Sequence, residues 1–99
     1  MKFEASDLQR GLSSGMSWVK PYFETELSDK DLFELNTKLG KVLSAYPSEL
    51  NQRFVYLFAQ MAAIAETSRL NYKEPFLKEE ELGSFLSHSS IFFNSFTHG

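Results

Sequence analysis

The chain has no cysteine among its 99 residues, which removes a disulfide framework, a thiolate metal site and a cysteine nucleophile together. Small secreted domains commonly depend on disulfide staples, so a reducing, cytoplasmic setting is the expectation. A basic excess is missing as well. Ten Lys and Arg stand against thirteen Asp and Glu, for a net charge of -3. The bases occur singly, as at Lys20, Lys30, Arg53 and Arg69, or as the pair Lys38 and Lys41 on one helical face. A polyanion binder needs a basic stripe that displaces counterions, and this composition offers none.

Long hydrophobic runs are also absent. The longest, residues 54–65, is interrupted by Gln60 and flanked by Arg53 and Glu66, well short of the ~20 apolar residues that span a bilayer. Acids at Glu4 and Asp7 stand where a secretory leader would carry its apolar stretch. From Leu82 to Gly99 there is no charged residue, so the basic polar face of a membrane-surface helix is lacking too. These absences predict a soluble chain, and its length predicts a single domain, residues 1–99.

Motifs that dictate a chemistry are equally scarce. No nucleophile elbow surrounds any serine, and His88, between Ser87 and Ser89, has neighbours that point in different directions on a helix. Glu79, Glu80 and Glu81 are consecutive, so they fan around a helix start instead of converging on an ion. Asp29 and Asp31 imitate a calcium loop, but Leu32 and Phe33 follow where ligands and a glycine are needed. There is no Glu-x-x-His pair, phosphate-binding glycine loop or dinucleotide fingerprint. The expectation is therefore a protein that is not an enzyme, with no catalytic residue, no cofactor and no metal.

What the chain does have is aromatic bulk and helical periodicity. Aromatics make up 15%, including ten Phe. Leu50, Phe54, Leu57, Met61 and Ile64 recur at helical steps, and Val55, Phe58, Ala62 and Ala65 form a second stripe beside them. A helix apolar over more than half its circumference needs partners on two sides. The predicted fold is therefore all-α, a small antiparallel bundle of about four helices around a central apolar helix at residues 48–70.

Around that centre, residues 5–26 read as a weak helix, with Ser6 as its cap and a break near Lys20 ahead of Pro21. Gly11 and Gly15 have the spacing of a close-packing face, but Ser13, Ser14 and Ser17 favour a merely weak helix. Ser28 with Asp31 predicts a capping box for a second helix, whose seam is Leu32, Leu35, Leu39, Val42 and Tyr46 and whose end is set by Pro47. Ser48 is expected to cap the third helix after a turn of two or three residues. Pro75 is expected in the first turn of a fourth, with Leu82, Phe85, Leu86, Ser89 and Phe93 on its apolar face.

By elimination, the sequence points to a small non-catalytic protein-protein binding factor: an inhibitor, immunity-type or adaptor protein, or a regulatory subunit. Its partner is another protein or a second copy in a homodimer. The candidate interface is the aromatic C-terminal segment, Phe85, Ile91, Phe92, Phe93 and Phe96, unless the bundle buries it. Two alternatives stay open: a DNA-binding regulator reading bases through Asn51, Gln52 and Arg53 at the start of the third helix, and a small enzyme whose site is not legible.

Overall fold

A computed structural model describes residues 3–47 and 49–98, with side chains described through residue 89. Four helices follow one another: α1 (Ala5–Val19), α2 (Asp29–Ala45), α3 (Gln52–Asn71) and α4 (Glu79–His98). The all-α bundle expected from the periodicity is the observed architecture. Helices adjacent in sequence run in opposite directions. Leu77 meets Glu66 and Phe85 meets Phe58, which sets α4 antiparallel to α3.

The tightest packing joins α1 to α3, and these two run parallel. Asp7 meets Gln52, Gly11 meets Tyr56 and Ala59, Gly15 meets Gln60 and Ala63, and Met16 meets Thr67. Small residues spaced by four on both helices let the two backbones approach closely. A Cβ built on Gly11 would lie 2.4 Å from the Tyr56 carbonyl oxygen and 2.6 Å from the Ala59 Cβ. On Gly15 it would lie 2.5 Å from the Gln60 carbonyl oxygen and 2.7 Å from the Ala63 Cβ. The two glycines are a packing seam, then, and the weak-helix reading of them is corrected.

The core is built on α3. Phe54, Val55, Phe58, Ala59, Ala62 and Ala63 are buried with Leu8 and Leu12 of α1, Leu35, Leu39, Val42 and Leu43 of α2, and Leu82 and Leu86 of α4. Phe58 stacks on Phe54 and Phe85, at centroid distances of 6.3 and 5.7 Å. Burial of both α3 stripes was expected, but one looks outward: Met61 is 42% exposed, and Leu57 and Ile64 are half-buried. The reason is angular. Ala59 and Ala63 must face α1, which turns the Leu57, Met61 and Ile64 line toward solvent.

Several helix ends follow the sequence closely. Ser28 accepts from the Asp31 N–H while the Asp31 carboxylate accepts from the Ser28 N–H, a complete capping box. Helix α2 stops at Ala45, ahead of Pro47, and α1 stops at Val19, ahead of Pro21. Others differ. The residue flanking α1 is Glu4, whose side chain makes no cap bond, so Ser6 is not the cap. The α2–α3 connection spans residues 46–51, longer than the expected turn, and Asn51 caps α3 by accepting from the Arg53 N–H at 2.8 Å. Ser48 lies outside the described residues. Helix α4 begins at Glu79, beyond Pro75: after a left-handed turn at Lys73, φ 58°, the chain runs through Leu77, whose N–H and carbonyl are bound by Glu66 and Lys38 and not within a helix. The Glu81 carboxylate then accepts from the Lys78 N–H at the start of α4.

Glycine replacement tests the seam by the sign of its effect. In an open helical position Gly→Ala stabilises by about 0.5–1 kcal/mol. Nothing lies within 4 Å of a Cβ built at Gly40 or Gly83, so Gly40→Ala and Gly83→Ala should raise stability by that amount in urea titration. Gly11→Ala and Gly15→Ala should instead lower it by about 1–3 kcal/mol, since a backbone must move to admit the methyl group. Stabilisation at all four positions would contradict the seam.

Candidate protein-binding surface

Helix α1 has α3 on one face and α2 on another. The loop between α1 and α2 is tied to the end of α3, where the Asn71 side chain accepts from the Thr25 N–H at 3.0 Å and donates to the Thr25 carbonyl at 2.8 Å. Between α1 and α2 lies a groove of about 610 Å³. Gln9, Leu12, Ser13 and Met16 form one wall, Leu32, Phe33 and Asn36 the other, and Glu26, Leu27 and Asp29 close one end.

The floor is apolar and the lip is not. Leu12 and Leu27 are buried, and Leu32 and Met16 are half-buried against the core. Gln9, Ser13, Glu26 and Asp29 are exposed. Phe33 also lines the groove and is 72% exposed. Beside these residues the Asn36 Oδ1 is buried with no hydrogen-bond partner. Such an orphaned acceptor costs about 1–3 kcal/mol relative to a satisfied one. Neither Glu26 nor Asp29 joins an ion pair among the described residues. An open trough of this kind cannot enclose most of a small ligand, but it suits a macromolecular surface.

None of the described residues singled out from the sequence lines this groove. Phe85 stacks on Phe58 and is 36% exposed, at the edge of the core. The side chains of Ile91, Phe92, Phe93 and Phe96 lie outside the described residues. In the trio considered for base reading, the Asn51 side chain caps its own helix and the Gln52 side chain donates to the Asp7 carboxylate at 3.0 Å. Arg53 is exposed in a separate cleft with Arg10 and Tyr56, where the Arg10 guanidinium lies 5.7 Å from the Tyr56 ring centre. Lys38 and Lys41 point to α4: Lys38 donates to the Leu77 carbonyl at 3.0 Å, and Lys41 lines a hollow with Glu79 and Glu80. These bases do not share one face.

Three buried polar groups escaped the sequence reading. Asp7 pairs with Arg10 and Gln52 through Oδ1, leaving a buried Oδ2 without a partner. Thr67 donates to the Ala63 carbonyl within α3. Glu66 accepts from the Leu77 N–H with both oxygens at 3.2 Å, so the Leu77 peptide is held by α3 at its nitrogen and by α2 at its oxygen. The Arg69 Nε is 3.9 Å from Glu66, too far for a hydrogen bond. Burial raises the Glu66 pKa above the ordinary 4.5; the Leu77 hydrogen bond, Lys38 and Arg69 oppose the rise, and Glu81 adds to it. A signal was available. Glu66 falls four residues after Ala62, in register with the buried face.

Among the described residues no group of His, Cys, Asp or Glu side chains could hold a metal ion, and no helix is long and apolar enough to cross a membrane. Compared with protein-family models, curated proteins and solved structures, the chain matches none.

The Glu66 environment fixes the sign of a pH effect. With a raised folded pKa the native state holds the proton that the unfolded chain has released, so stability falls as pH climbs from 4.5 through the raised value. Glu66→Gln keeps an acceptor for Leu77 and removes the charge. Urea midpoints across pH should show the wild type losing stability relative to Glu66→Gln over that interval, with the difference constant below it. Parallel profiles throughout would show that Glu66 is not titrating against burial.

Proposed function

We propose that the protein is a small, non-catalytic binding factor of the inhibitor, immunity, adaptor or regulatory-subunit kind, working in the cytoplasm, and that its contact surface is the groove between α1 and α2. Phe33 carries this reading. A phenyl ring held largely in water on a helix, above an apolar floor, forgoes about 1.5–3 kcal/mol of burial that a partner would supply. An aromatic anchor beside a shallow apolar trough with a polar rim is also the arrangement in which interfaces concentrate their affinity. Cysteine-free composition and the net acidic charge suit a soluble intracellular binder.

Base reading by α3 has less in its favour, because two of its three side chains are engaged within the protein. The enzyme alternative has less support: Glu26 and Asp29 sit on an open rim, Glu66 is held by the Leu77 backbone, and in the hollow that Lys41, Glu79 and Glu80 line, the two acids are consecutive on the first turn of α4.

Phe33→Ser separates binding from folding. The ring is exposed, so its loss should change stability by no more than about 0.5 kcal/mol. Capture from a native-host lysate, quantified by mass spectrometry, should then lose a specific partner by about tenfold, or 1.4 kcal/mol. Undiminished capture by Phe33→Ser together with loss in Phe85→Ser would move the contact surface to the C-terminal helix and overturn the groove.

A further inference from the structure

Resting on the protein-binding reading above, we infer that the α1–α2 groove receives an amphipathic helix of another protein, apolar along one stripe and carrying Lys or Arg beside it. The shape argues for a helix. Gln9 to Met16 covers two turns of α1, about 10 Å, and Leu32, Phe33 and Asn36 run along the facing wall. Two helical walls over an apolar floor accept a third helix through side chains spaced at three, four and seven residues. An extended peptide would need a strand edge to pair its backbone, and the described residues contain no strand. A helix satisfies its own backbone.

The charge argues for a basic partner. Glu26 and Asp29 close one end of the groove, no Lys or Arg lines it, and neither acid is in an ion pair among the described residues. A second copy of this chain is disfavoured as occupant. It would bring another net charge of -3 toward an acidic rim.

The test uses two capped model helices of about 16 residues, long enough to fold with capped ends, one built from Leu, Ala and Lys and the other with Glu in place of Lys. Each is titrated into the full chain by isothermal calorimetry and by amide chemical-shift mapping. The Lys helix should bind at least about tenfold more tightly than the Glu helix, with shifts centred on residues 9–16 and 26–36. Phe33→Ser should weaken it by about tenfold, and Glu26→Gln with Asp29→Asn should erase the preference. Unfolding midpoints show that each variant is folded. Equal affinity for both helices, still lost in Phe33→Ser, would overturn the basic partner while leaving the groove as a binding surface. Binding of the Lys helix that shifts other residues and ignores Phe33→Ser would overturn the occupant altogether. So would self-association of the wild type through residues 9–16 and 26–36, which would make the occupant a second copy.

Discussion

The close approach of α1 to α3 governs the arrangement of everything else. Gly11 and Gly15 face Ala59 and Ala63 with no side chain larger than a methyl group between the two backbones. That contact fixes the rotation of both helices about their axes. On α3 it commits one arc to α1, turns Phe54, Val55 and Phe58 into the core, and leaves Leu57, Met61 and Ile64 on the outer arc. On α1 it commits the glycine face to α3, so Leu12 and Met16 are left to reach toward α2. Alternate helices, α1 with α3 and after them α2 with α4, pack more closely than helices adjacent in sequence.

The groove lies on another side of α1, where Leu12, Met16, Leu32 and Phe33 line the space between α1 and α2 in place of the glycines and alanines of the seam. Asn71 binds the Thr25 N–H and carbonyl, which anchors the α1–α2 loop to α3. Helix α2 in turn is tied toward α4 through Lys38 and the Leu77 carbonyl. The two helices that wall the trough are thus each anchored by residues outside it.

Much of the fold was legible because local chemistry determined it. The capping box at Ser28, the stops before Pro21 and Pro47, and the Leu35, Leu39 and Val42 seam each needed only a few neighbouring residues. The glycine seam was visible as a spacing and still misread, since a pair of glycines among serines has the same pattern whether or not an alanine face lies opposite. The cap of α3 was misplaced by three residues for a similar reason: Ser48 and Asn51 both suit the role, and the geometry of the connection chose between them. The candidate surface was less legible still. Sequence draws attention to the uncharged aromatic C-terminus, whereas the groove is lined by residues of two helices and their connection, which no single stretch of residues reveals by itself. In the sequence, Phe33 bears only on the calcium-loop pattern that it breaks.

Buried polar groups complete the picture of where the molecule departs from simple patterning. Asp7 and Glu66 interrupt apolar faces, and each holds two segments together, Asp7 joining α1 to Gln52 and Glu66 joining α3 to the Leu77 peptide. The orientation they support all rests on α1 and α3 lying parallel and in contact. Interproton distances measure that directly. A nuclear Overhauser spectrum of the full chain should connect the Gly11 α-protons to the Ala59 methyl group and the Gly15 α-protons to the Ala63 methyl group. Absence of both cross-peaks, or the reversed pairing of Gly11 with Ala63 and Gly15 with Ala59, would contradict the parallel seam and the groove that depends on it.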